Sequence, residues 1–307
     1  MTRRLNWLLL ALLLLFGAPY YWLLIDNRPG DVAAKPVTIA QLRQLAESIP
    51  GPAPTGIEVE GVAWRRLPGT LFAAGTGLKR RLLAKMAFRL TVPGGAPIVI
   101  DTGLTRAEAQ AGGMEEYNVG AQSRVYAAMR LSGLILVTHE HVDHIGGLVA
   151  LAAEPGLLVK ARLNPAQVSS AALASPLPWP QGIRPAATLG NAPQAVAPGI
   201  VVVPAPSHSP GSQLIFVRLA SGREYLFAGD VCSLEIGCRQ VRARSRLVST
   251  YLPGGEDRLE VFAWLKTIRA LQESAPRLIV IPGHDLEWII NPENKTDVYE
   301  GFQLRRP

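Results

Sequence analysis

The chain has 307 residues, of which 48% are hydrophobic and 18% are charged, and it contains only two cysteines. This length suits one large domain or two small ones, and the cysteine count excludes a disulfide scaffold or a zinc ribbon. The formal charge of +7 indicates a basic face, which suits anionic partners such as lipid headgroups, nucleic acid or acidic substrates, and is equally compatible with a solvated surface.

An uncharged apolar run occupies residues 5–25, directly after Arg3 and Arg4. As a helix this run would span about 32 Å, close to the hydrocarbon thickness of a bilayer. Arginines beside a membrane span tend to stay in the cytoplasm. We therefore expect residues 26–307 on the periplasmic or extracellular side, with the membrane as a partner through this anchor.

A cleaved signal peptide is the alternative interpretation of the N-terminus, with its apolar region at residues 8–16. Pro19 would then follow the cleavage site, where proline is disfavoured, so an uncleaved anchor over residues 1–25 is the prediction. In an oxidising compartment Cys232 and Cys238 could form a disulfide, although spacing alone is equally compatible with free thiols.

After the anchor, the pattern predicts a linker over residues 26–55 and a single α/β domain over residues 56–307. Within the linker, Thr38 matches a helix-capping box and predicts a short helix through Ser48. Short apolar, β-rich stretches punctuated by glycine and proline predict the strands of the domain. Strands are expected at residues 87–92, 97–100, 134–137, 200–203, 214–219, 224–228 and 278–281.

Between the last two predicted strands, Asp257 matches a second capping box and predicts a helix. Its apolar face is predicted from residues at helical spacing, namely Val261, Trp264, Leu265 and Ile268. Residues 154–198 carry many prolines and alanines without a clear period, which indicates a loop-rich insertion.

All the histidines of the chain come just after the ends of predicted strands. They are His139, His141, His144, His208 and His284. Ligands of α/β proteins bind at this edge of the sheet, and histidine is the commonest metal ligand. Asp101 also follows a predicted strand, and we expect it to accept a hydrogen bond from a ligand histidine, with a turn cap as the alternative.

The spacing of these residues suits two metals side by side. His139 and His141 are two apart, so in extended backbone they point to one side and can reach one metal. Asp143 and His144 follow a turn and can address a second metal, while Asp230 can bridge the two cations. Two metals so held lower the pKa of a bound water and supply a hydroxide nucleophile, with Asp143 as the candidate that passes the proton to the leaving group.

Two basic clusters have open interpretations. Arg242, Arg244 and Arg246 have a period of two, so in an extended segment they would line one face and bind an anionic substrate or lipid. A solvated edge strand protected by its charges is the alternative. A membrane-facing role is the hypothesis for the second cluster, which consists of Lys79, Arg80, Arg81 and Lys85.

The histidine run at residues 138–147 resembles the His-x-His-x-Asp-His signature of the metallo-β-lactamase superfamily, and the resemblance covers roughly residues 56–291. It implies an αββα sandwich, here preceded by a transmembrane helix. It also implies two metals that share Asp230. The implied ligands are His139, His141 and His208 for the first metal, and Asp143, His144 and His284 for the second. Most members with this full set carry two zinc ions, although the same atoms accept iron or manganese.

Within the family the chain is most similar to the branch of lactonases and glyoxalase II. Asp230 disfavours the true β-lactamases, which generally lack the bridging aspartate, and the short tail after His284 leaves out the glutathione-binding domain of glyoxalase II. Lactonases often place a tyrosine three residues past the bridging aspartate. This chain has Ser233 there, which is a candidate substrate contact and puts a lactone substrate in question.

The sequence therefore predicts a hydrolase in which a hydroxide bridged by two divalent metals, zinc by expectation, cleaves an ester, lactone or related carbonyl bond in a small molecule. The first alternative is a phosphodiesterase acting on a lipid or small-molecule phosphodiester. The second is a mono-iron sulfur dioxygenase. No nucleic-acid partner is expected, and the sequence is silent on the oligomeric state.

Overall fold

The computed structural model describes residues 2–169, 179–183, 185–251 and 255–303. Two mixed β-sheets pack face to face, and helices cover both outer surfaces. The predicted αββα sandwich is therefore confirmed. The strands are β1 Gly56–Pro68, β2 Arg80–Thr91, β3 Ile98–Ile100, β4 Glu116–Tyr117, β5 Leu134–Leu136, β6 Ala161–Arg162, β7 Gln194–Ala197, β8 Ile200–Pro204, β9 Gln213–Arg218, β10 Glu224–Gly229, β11 Ile279–Pro282 and β12 Val298–Glu300.

A continuous N-terminal helix, Thr2–Ile25, precedes the sandwich and is long and apolar enough to cross a membrane. It consists of α1 and α2, each followed by a π-helical turn, at Leu13–Gly17 and Tyr21–Ile25 respectively. A further π-helical segment occupies Leu247–Tyr251. The α-helices are α1 Thr2–Leu12, α2 Ala18–Tyr20, α3 Ile39–Ala46, α4 Arg106–Ala111, α5 Val119–Leu131, α6 Val142–Ala150, α7 Pro165–Val168, α8 Glu235–Gln240, α9 Arg258–Ser274 and α10 Leu286–Ile290.

The larger sheet has the strand order β12-β1-β2-β3-β5-β6, with β4 paired to β1, and the smaller one has the order β11-β10-β9-β8-β7. The predicted hairpins β2–β3 and β9–β10 are present and antiparallel. Strands β3, β5 and β6 run parallel to one another, as do β10 and β11. Parallel neighbours end at the same sheet edge, so the loops that follow β3, β5, β10 and β11 meet there.

Alternating side chains of each strand build different layers, because successive residues point to opposite faces. In β8, Ile200 and Val202 enter the core between the sheets, whereas Val201 and Val203 pack toward α9. Helix α9 begins after Asp257, whose side chain accepts hydrogen bonds from the first-turn amides as predicted. The predicted apolar face of α9 is buried along its whole length, at Val261, Trp264, Leu265 and Ile268.

The predicted linker packs against the sandwich. Thr38 caps α3 by accepting a hydrogen bond from the Gln41 amide, and the helix ends at Ala46, two residues before the prediction. Leu42 is fully buried in the core under the smaller sheet. The Lys35 amide also donates to the Thr267 hydroxyl of α9. Residues 26–55 therefore behave as part of the packed body, while the boundary at residue 56 remains a prediction.

The sequence did not predict β1, although it is a long strand. A register shift between Gly61 and Ala63 breaks the alternation of this strand into two halves of opposite phase, which hides the period of two. The predicted loop-rich insertion holds only short elements among its described residues, namely a 3-10 helix at Leu158–Lys160, β6, α7 and β7. Its residues 170–178 and 184 lie outside the described part of the chain.

Candidate metal centre

Seven predicted ligands meet at the sheet edge where the parallel strands end. Each supplies one donor atom, and within each of two groups these atoms lie within 4.8 Å of one another. The first group is His139, His141, His208 and Asp230, and the second is Asp143, His144 and His284. The structure therefore brings together the whole predicted ligand set.

Helix α6 positions the second group. It begins at Val142, so Asp143 and His144 lie in its first turn. His139 and His141 precede the helix in the loop after β5. A side chain at Gly147 would place a Cβ 2.0 Å from the Thr102 carbonyl oxygen, so only glycine lets α6 approach the neighbouring loop this closely.

In the first group, Nδ1 of His141 lies 3.0 Å from Nε2 of both His139 and His208. Asp230 presents its Oδ2 to this group, 3.4 Å from His208 Nε2 and 3.8 Å from His139 Nε2. Four donor atoms thus face one point.

Asp230 presents its other oxygen, Oδ1, to the second group, 2.8 Å from His284 Nε2 and 4.0 Å from His144 Nε2. Asp143 Oδ2 lies 3.7 Å from the Nε2 atoms of both His144 and His284. The Asp230 carboxylate therefore faces both groups and presents one oxygen to each.

These donors fit a pair of divalent metals. Three imidazole nitrogens converge within hydrogen-bond distance in the first group, and a chain of neutral rings cannot satisfy all of them at once. In the second group, His144 Nε2 is buried without a hydrogen-bond partner among the described residues. A buried polar atom without a partner is costly, and a cation would satisfy it. Imidazole with carboxylate suits zinc, iron or manganese.

The second ring nitrogens of His144, His208 and His284 each lie within 3 Å of an oxygen acceptor. Nδ1 of His144 lies 2.8 Å from Asp101 Oδ2, so the predicted contact to Asp101 is present. Nδ1 of His208 lies 2.9 Å from Glu256 Oε2, and Nδ1 of His284 lies 2.8 Å from a backbone carbonyl oxygen. Acceptors at Nδ1 favour the tautomer that leaves Nε2 free for a metal.

Burial and neighbouring charge set the ionisation of the centre. Burial, with the nearby His208, lowers the pKa of His141 to about 3, so this ring is neutral and ready to bind a cation. Burial also lowers the pKa of His144, but the carboxylates of Asp101, Asp143 and Asp230 outweigh it and raise the pKa to about 9. Without metal, the second group therefore holds a proton on His144 at neutral pH.

Two cationic side chains border the centre. Arg244 donates through Nη2 to Asp230 Oδ2 at 2.5 Å and to Ser233 Oγ at 2.9 Å. Lys85 Nζ lies 2.5 Å from Asp143 Oδ2. Both side chains are almost buried, with exposed fractions of 12% and 11%. Ser233 thus contacts the arginine, while Lys85 belongs to the site although the sequence pattern suggested a membrane-facing role.

The structure gives the three arginines of the period-two cluster separate partners, and their role in binding a substrate stays a prediction. Arg242 donates to the Ala74 carbonyl oxygen, and Arg246 pairs with Asp26 at 2.7 Å. The reason is that the chain reverses at Val241, which has a φ of 52°, and enters a π-helical segment at residue 247, so no extended strand forms. Only Arg244 reaches the centre.

Cys232 and Cys238 form a disulfide that closes a short loop beginning two residues after Asp230. The loop contains Ser233 and the first residues of α8. The disulfide thus braces the segment that orients Arg244 beside the bridging carboxylate.

A cavity of about 410 Å³ opens beside the centre. His141, Asp143, Asp230 and His284 form its floor. Its walls are largely apolar, with the basic groups of Arg65, Lys85 and Arg244 and the carboxylate of Glu108 among them. The apolar lining consists of Leu67, Leu71, Phe72, Leu104, Met114, Val142 and Val248. Small-molecule sites are typically roughly 300–1,000 Å³, so the cavity suits a small substrate.

Several solved structures have a fold similar to that of this chain. An N-acyl homoserine lactone hydrolase with N-hexanoyl-L-homoserine bound at its catalytic metal centre is 18% identical, with a TM-score of 0.61 over 80% of this chain and 98% of that one. A variant of AiiA from B. thuringiensis with N-decanoyl-L-homoserine bound is 19% identical, with the same TM-score and coverage. A probable metal-dependent hydrolase from Staphylococcus aureus is 13% identical, with a TM-score of 0.54 over 77% of this chain and 91% of that one.

At these identities the solved structures establish the fold alone. No curated protein sequence matches the chain. The family model of the metallo-beta-lactamase superfamily matches residues 87–284, a range that begins in β2 and ends at the last histidine. That match spans well over half of the chain and includes all seven grouped side chains. The protein thus belongs to the metallo-β-lactamase superfamily.

Proposed function

We propose that this protein is a dinuclear metal-dependent hydrolase that cleaves an ester, a lactone or a related carbonyl bond in a small molecule. The observation that carries the proposal is Asp230, whose two oxygens face two separate groups of ligand atoms. A carboxylate in this position holds two divalent cations side by side. The similarity to acyl homoserine lactone hydrolases supports a carbonyl substrate.

Two divalent cations, zinc for this nitrogen and oxygen donor set, would supply an activated water and polarise the bond under attack. The chain's own residues prepare the donors, because burial keeps His141 neutral while Asp101 and Glu256 orient the rings of His144 and His208. In the reaction the oxygen of water joins the acyl carbon, the bond from that carbon to the leaving oxygen breaks, and a proton passes to the leaving oxygen.

Asp143 is the proposed residue that carries this proton. Its carboxylate lines the cavity beside the ligand groups. Burial would raise the pKa of Asp143, but Lys85 and the neighbouring histidines outweigh it and hold that pKa well below the usual range. The group is therefore an ionised acceptor at neutral pH, within reach of a substrate in the cavity.

The test is an assay of the full-length protein in detergent, loaded with zinc, against lactones, thioesters, a β-lactam and phosphodiesters. Asp230→Ala is expected to lose bound metal, measured by elemental analysis, and with it at least about a hundredfold of activity. The matched control is Asp31→Ala, because Asp31 is exposed and lies outside the centre. Unchanged turnover in Asp230→Ala would contradict the proposal.

A phosphodiester is the second candidate substrate. Lys85 and Arg244 add two positive charges beside a centre that would already hold two divalent cations against the carboxylates of Asp143 and Asp230. Such an excess of positive charge favours an anionic substrate or product. Turnover of a phosphodiester alone would select this candidate. No turnover of any compound with zinc, and sulfur oxidation by the iron-loaded protein, would select the dioxygenase instead.

A further inference from the structure

The end of the N-terminal helix is fixed to the sandwich by two segments, residues 69–77 and 241–251, which we call the collar. In the first segment, the Thr70 hydroxyl and the Gly75 amide donate to the Leu24 carbonyl oxygen at 2.5 Å and 3.0 Å. These hydrogen bonds form a socket that holds the end of the helix where it leaves the sandwich.

The second collar segment holds the helix from the other side. The Trp22 ring lies 6.0 Å from the Tyr251 ring, centroid to centroid, and the guanidinium of Arg246 lies 5.4 Å from the Trp22 centroid. Arg246 also pairs with Asp26, which is buried directly after the helix ends. An ion pair and an aromatic contact thus fix the orientation of the helix relative to the sandwich.

The collar also forms one wall of the metal-centre cavity. Leu71 and Phe72 come from its first segment, and Arg244 and Val248 come from its second. The Ser245 amide donates to the Leu71 carbonyl oxygen at 3.0 Å, which ties the two segments together at this wall. The same two segments therefore hold the end of the N-terminal helix and form a wall of the cavity.

An apolar groove of about 760 Å³ continues from the collar along the helix. Leu247 lines this groove, whereas its chain neighbour Val248 lines the cavity. The other lining residues are Leu14, Ala18, Pro19, Trp22, Leu23 and Tyr251. Aromatic side chains concentrate at the membrane–water interface, and Trp22 and Tyr251 remain 44% and 56% exposed here. In a bilayer, lipid chains would occupy the groove.

The loop beside the socket has the composition of a membrane-contacting surface. Leu78 is 57% exposed, and it precedes a run of exposed basic residues at Lys79, Arg80 and Arg81. An exposed leucine followed by cations suits insertion among anionic headgroups. The collar therefore has apolar and basic surfaces on the side from which the helix emerges.

Resting on the hydrolase function proposed above and on a membrane-spanning N-terminal helix, we infer that the metal-centre cavity opens at the lipid surface and takes an amphiphile directly from it. The apolar chain of the substrate enters past Leu71, Phe72 and Val248, and its polar head meets Arg244 and Lys85. The scissile bond then lies at the junction of chain and head, beside the ligand groups.

The position of the cavity relative to the membrane is tested first, in an experiment that does not require enzymatic activity. Leu78→Cys and Ser221→Cys in the full-length protein each carry an environment-sensitive fluorophore, while the native cysteines stay paired in their disulfide. The protein is reconstituted in vesicles of phosphatidylcholine and phosphatidylglycerol that contain doxyl lipids. Ser221 is the control, because it lies in the β9–β10 turn, at the opposite end of β10 from Asp230.

Doxyl lipids are expected to quench the fluorophore at Leu78 and to leave the one at Ser221 bright. Equal quenching at the two positions, or none at Leu78, would overturn the inference. This result is independent of whether the protein hydrolyses anything, so a failure of the proposed chemistry is recognised separately.

Entry from the lipid is tested with two esters that carry the same bond, 4-nitrophenyl palmitate in vesicles and 4-nitrophenyl butyrate in solution. Leu247→Glu places a charge in the groove and not in the cavity. It is expected to lower palmitate hydrolysis about tenfold, equivalent to about 1.4 kcal/mol, and to leave butyrate hydrolysis within about twofold. Val159→Glu is the control, because Val159 is 75% exposed and lies outside the collar.

Undiminished palmitate hydrolysis in Leu247→Glu, or an equal loss for both esters, would contradict entry of the substrate from the lipid beside the collar. Hydrolysis of neither ester by the unmodified protein would count against the proposed ester chemistry, and the quenching result would then decide the position of the cavity alone.

Discussion

Glu256 contacts one of the candidate ligand histidines, yet no sequence pattern predicted this role. Its Oε2 lies 2.9 Å from His208 Nδ1, yet in the sequence it stands just before Asp257, where an acidic residue is expected to cap a helix. Lys85 escaped prediction for a related reason, because it lies among other basic residues. The histidines and Asp230 were predictable, since their chemistry and position after strands coincide. Their buried partners depend on contacts between distant segments.

We predict that Glu256→Ala weakens metal binding by about 10–100-fold, because His208 loses the acceptor that orients its ring. A competition titration of zinc against a chelator measures this change. Glu273→Ala is the matched control, because Glu273 is 63% exposed and, among the described residues, pairs only with Arg269 in the same helix. Equal affinities of the two variants would argue against an orienting role for Glu256.

His144 predicts a pH dependence of the metal-free protein. Its pKa is about 9 in the folded state, compared with 6.5 for an unperturbed histidine, because nearby carboxylates outweigh its burial. The charged ring therefore stabilises the fold fully below pH 6.5, and this stabilisation is lost as the pH rises from about 6.5 to 9. The melting temperature of chelator-treated protein should fall across this window.

The affinity for metal should show the opposite trend and rise across the same pH window. A cation must displace the proton from His144, so the second group binds metal more tightly as the pH rises toward 9. Asp101→Asn is the informative variant, because it removes the carboxylate 2.8 Å from the ring and should shift both trends to lower pH. Identical pH profiles for the variant and the unmodified protein would contradict this assignment.

At the scale of elements, strands with regular alternation and helices with clear caps were predictable. The Asp257 cap and the buried face of α9 followed from spacing alone. By contrast, β1 was not predicted, because the bulge between Gly61 and Ala63 reverses which alternate side chains face the core. The segment at residues 242–246 was expected to be extended because its arginines alternate in the sequence. Periodicity predicts an element only where its backbone stays regular over several residues.

The loop closed by Cys232 and Cys238 carries an element-scale prediction. Reduction, or the double variant Cys232→Ser with Cys238→Ser, should lower the free energy of unfolding by about 2 kcal/mol, the chain-entropy value for so short a loop. Denaturant unfolding with and without reductant measures it. Since the loop also braces Ser233 against Arg244, substrate affinity should fall more than the turnover rate does. A variant as stable as the unmodified protein would contradict a bracing role.

At the scale of the whole molecule, the direction of the N-terminal helix decides where the sandwich resides. Arg3 and Arg4 precede the apolar run, so we predict an uncleaved anchor with residues 26–307 outside the cytoplasm. Alkaline phosphatase fused to the C-terminus should be active in a bacterial host, and the purified chain should keep its full mass. Replacing both arginines by glutamate should reduce reporter activity. An inactive reporter on the unmodified chain would reverse the assigned orientation.

The chain has five histidines, and all of them belong to the two ligand groups. In a tag-free protein labelled with nitrogen-15 in its imidazole rings, every histidine signal would therefore report on the centre, with no background from the surface or the core. The ring nitrogens would show, through their chemical shifts, the tautomer and protonation of each ring. A metal titration followed in this way would resolve the order in which the two groups fill.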